Sequence, residues 1–360
     1  MSSINRPGMR CAHIVSKLRC ILHDPRVGWL LRLGFSALIL ALLFTQVDLA
    51  SVLTHLDLAN AQWVVPILGL YFAIHCIWAY RMSLGLKPLR VHFTIPYLFV
   101  IILISAFYSL VLPGNVITGG AVSWYKLSRS NRKHAEIGAL LIYLRLIDTL
   151  TLLGIGLIGA WFDAHVSSPG FRGVVGAMLV SVVLVSLPFF FPAVTRRMEQ
   201  LGQPLANRLD LPQRVRSKAG AVWRALKAFQ TLKKRTIALV FGLSLVSHVL
   251  GVILFYLLAL ATNVHLSILV IGWIRSLVGI LQLIPFSVGG LGVREASLVL
   301  LLREYGISEP QALAFSLAIF GLMVVGGLTG GVLEAWDILF RRRRTEGAVG
   351  EDRLEADTRT

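Results

Sequence analysis

"IPFSVGGLGVREAS", Ile284 to Ser297, decides how this chain folds. Apolar sequence leads into it and out of it. Within it stand Pro285, the glycines Gly289, Gly290 and Gly292, and the charged neighbours Arg294 and Glu295. Proline removes a backbone donor and glycine loosens helical geometry, so one helix is expected to end here and another to begin. The new helix would present free N–H groups and the positive end of its dipole, which suits an anion such as phosphate. Arg294, in its first turns, would add a fork of donors. Adjacent helical residues point about 100° apart, so Arg294 and Glu295 are expected to take different partners.

The surroundings are those of a membrane. Hydrophobic residues make up 56% of the 360, charged residues 15%, and the mean hydropathy is +0.74, a balance that soluble domains do not reach. A bilayer core about 30 Å thick takes roughly 20 helical residues to cross. Eight runs are candidates: Leu30 to Val47, Trp63 to Tyr80, Ile95 to Leu112, Ile137 to Ala160, Gly173 to Ala193, Ile237 to Ala261, Leu266 to Ile284 and Ala312 to Ala335. They lack the alternation of barrel strands, so the fold class is all-α, a polytopic integral membrane protein. The first run contains Arg32 and lacks a small-residue cleavage pattern, so it is expected to be a retained span.

The Lys and Arg residues set the orientation. A basic N-terminus, residues 1–28, is expected to be cytoplasmic, the loop from Leu49 to Gln62 outside, and Arg81, Lys87 and Arg90 inside again. A single crossing by Ile95 to Leu112 would then place Lys126, Arg129, Arg132 and Lys133 outside, together with the strongly basic loop 194–235. Parity is restored if the chain returns through Asn115 to Ser128, whose roughly 14 residues make only about 21 Å of helix. The same failure recurs before Arg341 to Arg344, and a return through Val288 to Leu302 repairs it. Both returns follow a proline and glycines: Pro113 with Gly114, Gly119 and Gly120, then Pro285 with Gly289, Gly290 and Gly292. Two short Pro/Gly-broken segments, one per half, point to an internal pseudo-repeat around a central site. Whether each spans or re-enters stays open at this level. The membrane domain is expected over 29–340 and a disordered cytoplasmic tail over 341–360.

The polar groups expected at membrane depth are Arg145, Asp148, Arg275, Gln282 and Asn115, beside Arg294 and Glu295. Intramembrane charge is expensive and marks function by default. Arg145 and Asp148, three apart, can pair on one helix face. Glu334 and Asp337, beside Trp336, read as interfacial and solvated. His75 and His248 read as packing histidines, and Gly326, Gly327, Gly330 and Gly331 as close-packing positions. In the basic loop, Val215, Ala219, Val222, Leu226 and Phe229 follow the spacing of an amphipathic surface helix. "GGLGVRE" lacks the Lys-Ser/Thr of a phosphate loop and the strand before a dinucleotide fingerprint. Cys11, Cys20 and Cys76 have no metal-ligand spacing, so no metal or cofactor is expected. The net charge of +17 lies in loops, where topology and anionic headgroups explain it better than nucleic acid. Catalysis finds no supported constellation.

The chain resembles the lysylphosphatidylglycerol synthase transmembrane region, a flippase-like family of bacterial and archaeal membrane proteins. The likeness rests on "LPGNVITGGAVSWYKLSRS" (Leu112 to Ser130), "LRLIDTL" (Leu144 to Leu150) and "IPFSVGGLGVREASLVLLL" (Ile284 to Leu302). Family members often carry a basic residue where this chain has Ser123 and Trp124, and an acidic one where it has Leu144. In two-domain members a soluble aminoacyl-transferring domain follows; this chain ends soon after its last span, so the resemblance implies the other activity, movement of a lipid or lipid-linked headgroup between leaflets. The expectation is a non-catalytic protein of the bacterial inner membrane with both termini cytoplasmic. A lipid phosphate would sit at the broken helices and Arg294, with Arg145 and Arg275 supporting and Glu295 and Asp148 balancing charge. A membrane-embedded transferase using a lipid-linked donor, and a non-transporting partner of lipid-biosynthesis enzymes, remain as alternatives.

Overall fold

The computed structural model describes residues 61–112, 116–129, 133–163, single positions between 173 and 188, 191–208, 230, 234–282 and 291–357. Pro113, Gly114, Asn115, Pro285, Gly289, Gly290, the run Leu30 to Val47 and the amphipathic pattern Val215 to Phe229 lie outside the described residues. Among the described residues every regular element is a helix. They are α1 (Ala61–Leu86), followed by a 3-10 turn Lys87–Leu89, α2 (Ile95–Val111), α3 (Val116–Arg129), α4 (His134–Trp161), α5 (Pro192–Arg208), α6 (Lys234–Ala261), α7 (Ile268–Leu281), α8 (Val293–Arg303) and α9 (Glu309–Asp357). Among the described residues four helices are long and apolar enough to cross a bilayer: α1, α4, α6 and α9 as far as Asp337. Beyond Asp337, α9 continues into the stretch expected to be disordered, where Arg, Glu, Ala and Leu all favour helix.

The remaining apolar helices are legs of hairpins. At 1.5 Å per residue, α2 and α3, of 17 and 14 residues, reach about 25 and 21 Å, whereas α7 and α8, of 14 and 11, reach about 21 and 16 Å. Ser105 and Ser123 touch through their hydroxyls at 2.7 Å. A Cβ on Gly119 would lie 2.1 Å from Ser109 Oγ and 2.8 Å from the Ser105 carbonyl oxygen. These contacts run in opposite directions along the two helices, so α3 returns antiparallel beside α2. The two runs Ile95 to Leu112 and Leu266 to Ile284, expected among eight long spans, form the shorter apolar helices α2 and α7, of 17 and 14 residues.

The order long helix, hairpin, long helix occurs twice, as α1–α4 and α6–α9, in opposite senses. The first hairpin opens at the end carrying Lys126 and Arg129, where Lys133 Nζ donates to the Leu89 carbonyl at 2.6 Å and Trp124 Nε1 to that of His134 at 2.6 Å. The second opens at the other end. There Trp273 Nε1 (2.7 Å) and the Tyr305 hydroxyl donate to Asp163, just beyond α4, and Gln311 donates to the Asn263 carbonyl. Burial, then the hydrogen bond to Asp163, pushes the Tyr305 hydroxyl above its ordinary pKa. Each hairpin packs on the last long helix of the other unit, α2 on α9 and α7 on α4, while α1 lies against α6. This reciprocal packing is what an inverted repeat is expected to show.

Each hairpin also has its own core. Leu98, Ile101, Leu127, Ile137 and Leu140 bury around the first, and Ile271, Ile274, Leu298, Leu302 and Phe315 around the second. Glycines set the cross-unit distance: a Cβ on Gly330 of α9 would sit 1.9 Å from the Leu103 carbonyl of α2, and one on Gly159 of α4 would sit 2.7 Å from the Leu269 carbonyl of α7. Neither backbone can yield as a flexible side chain would. Gly330→Ala is therefore expected to destabilise by about 1–3 kcal/mol, read as a lower unfolding midpoint in detergent; Gly242→Ala, which meets nothing within 4 Å, is the control that should stay near native.

Candidate functional site

A cavity of about 770 Å³ lies between α1, α2, α3 and α4, with Met323 of α9 closing it. Its walls are largely apolar, including Ile102, Leu110, Ile117, Leu141 and Ile142. Gly120 faces it, and a Cβ there would meet nothing within 4 Å, so this helix face is left open. Arg145 of α4 is exposed to the cavity, and no ion pair or side-chain hydrogen bond holds its guanidinium among the described residues. Trp78 Nε1 on the wall is a buried donor without a partner there. His75 spends Nδ1–H on the Tyr71 carbonyl at 2.8 Å. The first turn of α3 lines the same space through Ile117 and Gly119. Arg145 brings a positive charge and Trp78 a buried donor to a largely apolar chamber, which suits an anionic group attached to apolar chains.

Behind Arg145 lies a buried polar network. Asp148 is gripped by Arg81 through both oxygens, with Nη2 to Oδ2 at 2.7 Å. Ser244 Oγ donates to Oδ1 at 2.6 Å, and His248 Nε2 stands 3.6 Å away. His248 Nδ1 lies 3.5 Å from Arg275 Nη1. Arg275 sits 5.4 Å over the Phe255 ring, in space that Gly251 leaves by lacking a side chain. Arg145 and Asp148, spaced so that they can pair, form no ion pair with each other. Spacing places the two near each other, but the fork of Arg81, reaching from α1, matches both carboxylate oxygens, and Arg145 faces the cavity. Arg81 had read as a loop residue that fixes orientation; it lies within α1 and is 5% exposed. His248, expected to be a packing histidine, belongs to the network. Three guanidinium groups, Arg81, Arg145 and Arg275, stand around one carboxylate, Asp148, which pairs only with Arg81 among them, so this cluster carries net positive charge.

Arg294 and Glu295 form a separate cluster. Both are fully buried, and Arg294 Nη2 pairs with Glu295 Oε1, contrary to the expectation of different partners. The long arginine side chain folds back over the start of α8, where Glu295 Oε2 accepts the Gly292 N–H at 2.6 Å. Gly292 has φ 84°, which glycine alone adopts cheaply. Arg294 Nε donates to Ser316 Oγ at 3.1 Å, and Ser316 donates to Glu295 Oε1 at 3.2 Å. The N-terminus of α8, expected to be open to an anion, is thus capped by the chain's own carboxylate. Met323 touches Arg294 Nη1 at 3.3 Å and also walls the cavity, so this cluster supports the chamber from behind. Gln282 ends α7 as its C-cap residue.

A third polar set was missed. Lys126 pairs with Glu334 at 2.5 Å and lies 3.9 Å from Asp337. The two acids expected to be solvated instead tie α9 to α3, because the hairpin returns Lys126 to the level of Glu334. No local pattern reveals a pair 208 positions apart.

Two inverted units, each carrying a helical hairpin, with an arginine-bearing chamber walled mainly by the first, define a polytopic helical membrane protein. Residues 29–331 match the family described as the lysylphosphatidylglycerol synthase TM region, and the chain belongs to it. It is also similar to a "UPF0104 membrane protein" of Methanothermobacter thermautotrophicus, 25% identical over 285 residues, covering 71% of this chain and 79% of that one. No solved structure matches.

Proposed function

We propose that the chain takes the anionic headgroup of a membrane lipid into the α1–α4 chamber at Arg145 and moves it between leaflets of the bacterial inner membrane, without catalysis and with both termini cytoplasmic. The observation that carries this reading is Arg145, an unpaired cation exposed in an apolar-walled cavity of about 770 Å³. A charge in a membrane-spanning helix that forms no ion pair among the described residues points to a partner outside the chain. Asp148 and Arg275 hold the field around it, and Arg294 with Glu295 holds the wall. Movement follows from rocking of the two inverted units about the chamber. The partner is an anionic lipid, supplied or consumed by lipid-biosynthesis enzymes.

Purified protein in vesicles should move labelled phosphatidylglycerol from one leaflet to the other. Arg145→Gln should slow this by about 10- to 100-fold, the loss of a charge-assisted hydrogen bond worth about 1.5–3 kcal/mol, without lowering the unfolding midpoint. Equal rates in the native protein and Arg145→Gln would remove the basis of the reading. Modification of the headgroup when a lipid-linked donor is supplied would turn it into that of a transferase.

A further inference from the structure

One imidazole joins the buried charges of the two inverted units. His248 of α6 stands with Nε2 3.6 Å from Asp148 Oδ1 of α4 and Nδ1 3.5 Å from Arg275 Nη1 of α7. A guanidinium nitrogen only donates, so Nδ1 presents its lone pair to Arg275 and the ring hydrogen sits on Nε2, aimed at the carboxylate. At 3.6 Å that hydrogen falls short of a bond, and among the described residues His248 Nε2, Arg81 Nε and Arg275 Nε are all buried without a hydrogen-bond partner. Buried polar atoms are normally paired. Three unpaired nitrogens along one chain of charges leave the network with a second arrangement to adopt.

We propose that His248 is a proton-binding site, and that its occupation releases Arg275 to meet the anionic headgroup. A proton from the aqueous phase adds to Nδ1, the one ring nitrogen carrying a lone pair. Both ring nitrogens then donate. Nε2–H closes on Asp148, while Nδ1–H and the Arg275 guanidinium face each other as like charges, so the contact that held Arg275 becomes repulsive. Loss of the proton restores the lone pair and draws Arg275 back. The charged groups facing His248 are Asp148 from α4, Arg81 from α1 behind that carboxylate, and Arg275 from α7, with Arg145 beyond Asp148. The charged residues of α9 within its membrane stretch, Glu309, Glu334 and Asp337, lie towards its two ends. One proton gained offsets one headgroup charge, so uptake of the two is coupled. This step rests on the lipid-moving reading, whereas proton binding at His248 does not.

Two measurements on the full chain separate these. In weakly buffered neutral detergent near pH 7, adding short-chain phosphatidylglycerol should draw about one proton per headgroup bound, and His248→Gln or His248→Asn should abolish that uptake while lipid still binds. Lipid binding without proton uptake by the native protein, or equal uptake in His248→Gln, overturns the proposal. Independently of lipid, a 13C-histidine resonance that is lost in His248→Gln should change protonation between pH 5 and 8, and Arg275→Gln should alter its profile. A resonance that stays in one state across that range, or a profile untouched by Arg275→Gln, also overturns it. Failure of lipid binding with the resonance behaving as expected would count against the lipid-moving reading alone.

Discussion

Replacing Asp148 by alanine is expected to destabilise the protein by about 3–5 kcal/mol, because it leaves Arg81 and Arg275 buried without their shared counter-charge. Arg145 adds a third cation nearby. The carboxylate accepts from Arg81 at both oxygens and from Ser244 at Oδ1, so removal orphans several donors at once, and each buried donor left unpaired costs about 1–3 kcal/mol. Asp148→Asn keeps the shape and loses the charge. If charge balance is what matters, Asn should be nearly as damaging as Ala. Arg81→Met in the Asp148→Asn background should then recover part of the loss, since one uncompensated cation is gone. Unfolding in mixed micelles of increasing SDS content gives the free energies directly. A mild Asp148→Asn variant, or no recovery in the double variant, would show that the site is held by packing and not by charge.

The sequence made the frame legible through two signals that do not depend on tertiary contact. Apolar length marked the helices, and the alternation of Lys and Arg between ends demanded a return after Pro113 and another after Pro285. The returns are α3 and α8, near the expected bounds, since a parity argument needs only the chain's order. Their form as hairpins was not legible: it lies in contacts such as Ser105 with Ser123 and Gly119 with Ser109, and these depend on how each helix is rotated. The same holds for the site. Arg145, Asp148 and Arg275 stood out because charge is rare at that depth. Their partners did not, since Arg81 meets Asp148 across 67 positions and Ser244 meets it across 96. Arg81 was hidden by its neighbours Lys87 and Arg90, which give the same orienting signal. His248 was hidden because a lone histidine in an apolar run looks the same whether it packs or bridges charges. Helix geometry misjudged Arg294 and Glu295 for a different reason. The rule that neighbours diverge describes Cβ directions, and a long arginine at the first turn of a helix can fold over its start to reach a capping glutamate.

That folded-back pair yields the second large effect. Glu295→Ala should cost about 3–5 kcal/mol, for it strands the fully buried Arg294 and removes the acceptor of the Gly292 N–H at the start of α8. Arg294→Met should cost less than Glu295→Ala. Glu295 still caps the helix and still accepts from Ser316, which lies 3.2 Å from Oε1, so one charge remains with two donors around it. The double variant Arg294→Met with Glu295→Gln keeps a cap acceptor and leaves no charge behind, and it should be more stable than Glu295→Ala alone. Transport adds the discriminating readout. With Arg294 walled off by Met323 and Phe320, the folded double variant should still move lipid within about tenfold of the native rate, whereas Arg145→Gln, folded normally, should not. A stable double variant that has lost all movement would place Arg294 in contact with the headgroup, and the chamber at Arg145 would no longer be sufficient to account for binding.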